Sequence, residues 1–162
     1  TQQSSAVPSG FRRIVQIFTL LLVAQLIYGG FTAGLKAGLG FNTYPKMGEA
    51  WIAEAALTLA PFWLNWFENG AMIQFIHRWL GLAVLVAAAV TLGAALSQDA
   101  GVRVRWAAGL CVGLVFVQFL LGIITLITVV PLSWALTHQV FACFVVLGLT
   151  YLNFLVRPRA AT

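Results

Sequence analysis

The sequence predicts an all-α membrane protein whose four transmembrane helices form an up-down-up-down bundle. Of its 162 residues, 61% are hydrophobic and 8% are charged, whereas a soluble domain carries about 25% charged residues. Four apolar stretches are each long enough to cross a bilayer, which takes about 20 residues. The arginines flank these stretches and form no basic patch, so the composition excludes a soluble domain and a nucleic-acid-binding protein.

The first predicted span runs from Ile14 to Leu35 without a charge, which is roughly 33 Å of helix at 1.5 Å per residue. Residues 1–13 before it are predicted to be a disordered polar tail. Gly30, Gly34 and Gly38 are spaced four residues apart, and such a stripe lets another helix approach closely. We interpret the stripe as ordinary helix packing.

Residues 36–70 form a loop that is too long for a simple connector. A short helix is predicted over residues 53–60. Aromatic side chains near the end of the loop suit the headgroup level of a bilayer; they are Phe62, Trp63, Trp66 and Phe67. These features leave two interpretations of the loop open, an anchor at the membrane interface and a cap over a bound ligand.

The other three spans complete a single four-helix domain over residues 14–156, followed by a basic tail at 157–162. They are predicted at Met72–Leu96, Trp106–Thr128 and Trp134–Val156. Because the connection around Pro131 is very short, the third and fourth helices should be antiparallel neighbours. Cys111 and Cys143 lie inside apolar runs and are predicted to be buried, inert thiols without a disulfide.

The distribution of charge predicts which ends of the helices face the cytoplasm or the mitochondrial matrix. Six arginines lie on the side of the two termini, with Asp99 as the one acidic residue there: Arg12, Arg13, Arg103, Arg105, Arg157 and Arg159. The opposite side has Lys36 and Lys46 against three glutamates. By the positive-inside rule, both termini face the cytoplasm or matrix and the long loop faces outward.

The two histidines of the chain, His77 and His138, are the candidate metal ligands. Each lies roughly 6–7 Å inside the outer end of its predicted span, and ionisable groups at such positions indicate function. In a bundle with neighbouring axes about 8–10 Å apart, the second and fourth helices are diagonal, so both imidazoles can face the central axis. Zinc or copper would need more ligands than the spans supply. Two imidazoles suit the axial positions of a haem, with structural histidines bonded to polar neighbours as the alternative.

A faint internal repeat supports a ligand shared between the two histidines. Gln25-x-x-x-Gly29 in the first span and Gln118-x-x-x-Gly122 in the third each precede a helix that carries a histidine. Two helix pairs of the same orientation imply a pseudo-twofold axis along the membrane normal. A small residue also follows each histidine by one turn, which leaves clearance beside an axial ligand; the two are Gly81 and Ala142.

Several motifs from about Gly29 to the end of the fourth span together resemble the haem A synthase family. They are Gly34-Leu-Lys-Ala-Gly38, Phe41-Asn-Thr-Tyr-Pro-Lys-Met-Gly-Glu49, Glu68-Asn69, Gln74-Phe-Ile-His77-Arg78, Gln118, Leu121-Gly-Ile-Ile-Thr125, Val130-Pro131 and His138-Gln139. Members of that family have eight membrane helices in two similar halves. They oxidise a methyl group of haem O to the formyl group of haem A, which terminal oxidases use. One half holds the substrate haem and the other holds a haem b cofactor.

The chain resembles the half that holds the cofactor. In the substrate half, a glutamate that matters for catalysis lies three residues before the first histidine, and Gln74 occupies that position here. Gln74 lies one turn before His77, so we expect it to face the same ligand edge. The resemblance therefore implies a haem b with His77 and His138 as axial ligands, and it assigns no catalytic residue to this chain. Arg78 is predicted to bind the haem propionates; its alternative partners are lipid headgroups or Glu68.

The resemblance also implies the surroundings of the chain. Haem O and haem A are expected as substrate and product, and a second four-helix half or a second copy of the chain as partner. The chain itself is then expected to be a fragment, one member of a split pair or a self-associating subunit. The expected location is the bacterial inner membrane, with the mitochondrial inner membrane as the alternative. The other open function is a free-standing four-helix b-type cytochrome that transfers electrons in the membrane.

Membrane-impermeant labels should react with Ser97→Cys and Thr162→Cys from the cytoplasmic side and with Glu54→Cys from the outer side. This result is expected because six arginines lie on the side of the termini. Labelling in intact cells and in broken membranes measures it. The opposite pattern would contradict a site near the outer surface.

Overall fold

The computed structural model describes residues 8–158 of the chain. Within them, four long helices span Ser9–Gly34, Gly70–Ser97, Val102–Ile127 and Leu132–Val156. They are called the first to fourth helices below. Each is long and apolar enough to cross a membrane, which confirms the predicted fold class. The side of the membrane that each end faces stays a prediction.

The first helix begins earlier than the hydrophobic span predicted. It starts at Ser9, so residues 9–13 of the predicted polar tail are helical, while residues 1–7 lie outside the described part of the chain. Phe11 has no exposed surface and packs into the bundle core. The packing of the Phe11 ring thus goes with an earlier helix start, which a count of consecutive apolar residues does not predict.

Consecutive helices pack side by side around the bundle. The first helix contacts the second, the second contacts the third and the third contacts the fourth, with a weaker contact between the fourth and the first. Asn153 Nδ2 donates to Thr19 Oγ1 at 3.0 Å and so links the fourth helix to the first. The helices that carry the two histidines, the second and the fourth, are therefore diagonal.

The main core of the bundle lies at the end nearest the two termini. It takes residues from the first halves of the first and third helices and the second halves of the second and fourth. Its fully buried side chains include Phe11, Val15, Phe18, Ala88, Ala95, Ala108 and Leu152. Cys111 is buried in this core as predicted, whereas Cys143 is exposed, so the prediction of a buried thiol is wrong for Cys143. Because the two histidines lie in the other half of the bundle, they are outside this packed core.

The loop between the first and second helices contains four short helical turns: Ala37–Leu39, Glu54–Leu57, Phe62–Leu64 and Asn65–Glu68. The predicted helix over residues 53–60 is therefore a shorter 3₁₀ turn. Asn69 caps the second helix, since its side chain accepts hydrogen bonds from Ala71 N and Met72 N. The predicted interfacial aromatic side chains are exposed, as an anchor requires: Phe62, Trp63, Trp66 and Phe67.

The glycine stripe of the first helix differs from its prediction. A Cβ built at Gly30 or Gly34 meets nothing within 4 Å, so neither residue packs closely against another described element. Gly38 does lie in a close contact, because a Cβ there would come 2.9 Å from Val130 Cγ2. The prediction of ordinary helix packing within the described chain is wrong for Gly30 and Gly34.

Candidate functional site

The first half of the candidate site forms where the second helix crosses the first. His77 from the second helix lies against Gly29 of the first, where a Cβ would come within 3.2 Å of His77 Cε1. Gln25 lies one turn before Gly29, and its Nε2 is 3.5 Å from His77 Nε2. Gly29 thus leaves room for the imidazole, and Gln25 reaches one of its ring nitrogens.

The second half of the site repeats this arrangement between the third and fourth helices. His138 lies against Gly122, where a Cβ would come within 3.0 Å of His138 Cε1. Gln118 lies one turn before Gly122, and its Nε2 is 3.4 Å from His138 Nε2. The same Nε2 donates to the backbone carbonyl of His138 at 3.0 Å. Gln118 therefore contacts both the ring and the backbone of its histidine.

The two histidines lie at matching positions along their helices. His77 is seven residues beyond Gly70 and His138 is six residues beyond Leu132, where their helices begin. At 1.5 Å per residue, both imidazoles lie about 10 Å along the helix from its start. The sequence predicted this shared depth and the repeat, but it did not predict the contact that the repeated residues make. That contact joins a glycine on one helix to a histidine on the next.

Gly81 has a different neighbour from the one predicted. We expected it to leave clearance for a porphyrin beside His77. A Cβ at this position would lie 3.2 Å from Gln25 Nε2 and 3.7 Å from the ring of Phe119. Gly81 therefore leaves room for the amide of Gln25, which in turn reaches the imidazole.

Buried polar atoms without a hydrogen-bond partner concentrate at these two clusters. Within residues 8–158, such side-chain atoms are Gln25 Oε1, His77 Nδ1, Arg78 Nε, Gln118 Oε1 and His138 Nδ1. Leaving a buried donor or acceptor unpaired costs about 1–3 kcal/mol, so an unpaired group in a native protein often indicates function or an additional partner. Four of these five atoms belong to the two symmetry-related glutamine and histidine pairs.

The side chains at this site fit a haem better than an isolated metal ion. The part of the chain that the structure describes contains no group of three or more His, Cys, Asp or Glu residues that could hold a metal. Zinc sites usually take three or four protein ligands, whereas a porphyrin supplies four nitrogens and needs only axial ligands. The site offers two imidazoles from diagonal helices, each with a glycine that makes room for it. This number of ligands matches the axial positions of a haem.

Arg78 holds the beginning of the loop between the first and second helices against the second helix. Its guanidinium donates to the carbonyls of Thr43 at 2.7 Å and Lys46 at 2.9 Å, and also to the carbonyl of Phe41. A further bond reaches Gln74 Oε1 at 3.1 Å. These carbonyls are partners that the sequence did not predict for Arg78. Its contact with haem propionates stays a prediction.

Gln74 faces this loop, and the expectation that it points toward the ligand edge was wrong. Its Nε2 donates to the carbonyls of Ala37 at 2.9 Å and Gly40 at 2.6 Å, and the residue is buried. A helix turns about 100° per residue, so a spacing of three leaves Gln74 about 60° from the face of His77. Arg78 lies four residues after Gln74, so its guanidinium reaches the Gln74 amide.

The beginning of the loop between the first and second helices covers the helix ends near the site. Asn42 Nδ2 donates to the carbonyl of Leu126 at 2.8 Å and thereby ties the loop to the third helix. The ring of Tyr44 packs edge-on against Phe119, with centroids 6.1 Å apart. Both interpretations of the loop therefore find support in different parts of it: residues 37–47 form a cap, while the later aromatic residues are exposed.

Comparison with known proteins adds a family match. The sequence profile of the COX15-CtaA family, described as "Cytochrome oxidase assembly protein", matches residues 1–150. The relative named "Heme A synthase" from Wolbachia sp. subsp. Brugia malayi (strain TRS) is 41% identical over 134 residues, 83% of this chain and 38% of that relative. The protein of the same name from Wolbachia pipientis wMel is 38% identical over 148 residues, 91% of this chain and 40% of that relative.

A third relative comes from a different bacterial genus. "Heme A synthase" from Brucella ovis (strain ATCC 25840 / 63/290 / NCTC 10512) is 40% identical over 129 residues, 80% of this chain and 36% of that relative. The chain thus spans about two-fifths of the length of the curated relatives it matches. No solved structure matches it.

Replacing either site glycine by alanine should weaken haem binding. The added Cβ of Gly29→Ala or Gly122→Ala would press on an imidazole at 3.2 or 3.0 Å. Overpacking costs about 1–3 kcal/mol, and a cost of about 2 kcal/mol corresponds to roughly thirtyfold weaker binding. Titration of the detergent-purified chain with haem measures the affinity.

Gly30→Ala and Gly113→Ala serve as matched controls on the same two helices, because a Cβ at either position meets nothing within 4 Å. Both should bind haem like the unmodified chain. If the site variants bind as tightly as these controls, the glycines do not set the positions of the imidazoles.

Proposed function

The chain belongs to the COX15-CtaA family of cytochrome oxidase assembly proteins, and we propose that it takes part in haem A biosynthesis as the haem-b-binding half of a haem A synthase. In this proposal, His77 and His138 are the axial ligands of one haem iron. The proposal assigns no catalytic residue to the chain.

One observation carries the proposal: the same glutamine, glycine and histidine cluster occurs twice, on diagonal helices at matching depth. The contact between His77 and Gly29 repeats between His138 and Gly122. In both clusters a histidine nitrogen and a glutamine oxygen are buried without a partner. A planar ligand held on both faces accounts for this duplication, whereas two independent structural histidines would not need matching depths.

The residues of the chain would bind, orient and shield the haem. Its iron, when bound, would supply one-electron chemistry by changing between the ferrous and ferric states. The two imidazoles would hold the haem, and the apolar helices around them would exclude water. Arg78 and Gln74 keep the cap, residues 37–47, over the outer end of the site through their bonds to loop carbonyls.

Gln74 supports the assignment to the cofactor half. Both hydrogens of its amide have carbonyl acceptors, Ala37 O and Gly40 O. A carboxylate donates no hydrogen bond, so a glutamate here would place negative charge against two carbonyl oxygens. These two bonds favour a neutral amide at the position where, by the family resemblance, the substrate half has a catalytic glutamate.

The whole reaction would require more protein than this chain contains. Conversion of the haem O methyl group to the haem A formyl group would take place in a second four-helix half, on the same or another polypeptide. A second copy of this chain is the other candidate partner. Multi-pass insertion in the bacterial inner membrane, with the mitochondrial inner membrane as the alternative, completes the proposal.

A free-standing b-type cytochrome is the second candidate function. The observation that favours it is the lack of carboxylates in the four long helices, none of which contains an Asp or Glu residue. Such a site would have two axial ligands and no acid or base for other chemistry. In that case the chain would pass electrons between partners in the membrane.

His77→Ala and His138→Ala should each remove one axial ligand of the haem. We expect the low-spin spectrum of the six-coordinate b-type haem to disappear from both variants, with the haem either five-coordinate or lost. Thr137→Ala, which replaces an exposed neighbour of His138, should keep the original spectrum. Absorption spectra of the purified proteins measure the outcome. An unchanged low-spin spectrum in either histidine variant would mean that its histidine is structural.

The purified chain should bind haem yet fail to convert haem O into haem A. This is expected because Gln74, not a carboxylate, occupies the relevant position and the long helices supply no other acid. Incubation with haem O, reductant and oxygen, followed by chromatography of the extracted haems, measures conversion. Many turnovers per chain, giving haem A or its hydroxylated precursor, would contradict the cofactor-half assignment and place the catalytic site in this bundle.

A further inference from the structure

We propose that Asn42 is a positioning residue of the haem site, because its side chain holds the last turn of the third helix and thereby the position of His138. The inference rests on the proposed function and deepens it. Asn42 belongs to the loop motif at residues 41–49, whose side chains the proposed function leaves without a role. It also lies in the cap, residues 37–47.

The first support is the pair of hydrogen bonds that the Asn42 side chain donates. Its Nδ2 donates to the carbonyl of Gly38 at 2.7 Å and to the carbonyl of Leu126 at 2.8 Å. Gly38 belongs to the same loop, whereas Leu126 is the second-last residue of the third helix. The last four carbonyls of a helix have no N–H partner inside that helix. Asn42 therefore supplies a donor to the helix end from another part of the chain.

The second support is a close contact beside these bonds. A Cβ at Gly38 would lie 2.9 Å from Val130 Cγ2, so the glycine lets the cap approach the segment that follows the third helix. The fourth helix begins two residues after Val130, at Leu132. The cap therefore reaches both the end of the helix that carries Gly122 and the connection to the helix that carries His138.

The cap is also bonded to the helix of the other histidine. Gln74 and Arg78, which lie within one turn of His77, donate to carbonyls of the cap. Within residues 8–158, the side-chain hydrogen bond from the cap to the third helix is that of Asn42. Asn42 thus completes a hydrogen-bonded connection between the second helix and the end of the third.

This connection matters because a haem held on both faces needs its two imidazoles at one separation. The ligands of a binding site must be held within about 0.5 Å of the required geometry by the groups that support them. Leu126 lies four residues, or about 6 Å, beyond Gly122 on the third helix. His138 rests against Gly122, so a shift of this helix end moves the surface that positions the imidazole.

The test uses the full chain, purified in detergent and loaded with haem. Asn42→Ala removes both hydrogen bonds and should convert part of the six-coordinate low-spin haem to five-coordinate high-spin haem, which absorption spectra measure. Transfer of the haem to apomyoglobin should become roughly tenfold faster. This factor corresponds to about 1.4 kcal/mol, which lies within the range for the loss of one or two hydrogen bonds.

Two further variants separate the hydrogen bonds from side-chain size and from the general stability of the helix end. Asn42→Asp keeps the shape of the side chain but has no N–H to donate, so its high-spin fraction should equal or exceed that of Asn42→Ala. Thr128→Val is the matched control, because Thr128 Oγ1 donates to Ile124 O within the third helix and not to the cap. It should keep the low-spin spectrum and the original rate of haem transfer.

Hydrogen exchange of the same proteins without added haem gives a second measurement. Asn42→Ala should speed exchange at residues 123–130 and leave the core near the termini unchanged. If exchange at residues 123–130 is unchanged, or if both Asn42 variants keep the spectrum and transfer rate of Thr128→Val, the positioning role is overturned. Faster exchange throughout the core would also overturn it, since the effect would then be a general loss of fold. Failure of the unmodified chain to bind haem would instead contradict the proposed function.

Discussion

The structure of the site depends on the close contact between an imidazole and a glycine on the neighbouring helix. His77 meets Gly29, and His138 meets Gly122, at distances where a Cβ on either glycine would press on the imidazole. Polar groups inside a membrane are costly unless they have partners. In both clusters a glutamine one turn away supplies such a partner, so three residues on two helices form one unit. Each unit joins two neighbouring helices, so it fixes how far one helix is shifted along the other.

This constraint explains why the bundle is built differently at its two ends. The half near the termini is closely packed by side chains such as Phe18, Ala88 and Leu152. The other half carries the two glutamine, glycine and histidine clusters. It is covered by residues 37–47 of the loop between the first and second helices. Arg78 and Gln74 bind the carbonyls of that loop, so the helix that supplies one candidate ligand also holds the cap.

The sequence predicted the four-helix fold because the length and hydrophobicity of each span are read along one chain. It also predicted the matching depth of His77 and His138, which follows from helical rise and a residue count. The contacts of Gly29 and Gly122 could not be predicted in this way, since they depend on how two helices align. The partners of Gln74 could not be predicted either, although a spacing of three residues places it near the face of His77. Its actual partners come from the fold of the loop, which carries no simple periodic pattern.

Whether His77 and His138 bind the same iron is tested most directly by electron paramagnetic resonance of the oxidised chain reconstituted with haem. The duplicated clusters on diagonal helices predict a low-spin ferric signal that accounts for one haem per chain. Such a signal requires strong ligands on both faces of the haem. A high-spin ferric signal from the fully loaded chain, or two haems per chain, would contradict a single haem held between the two histidines.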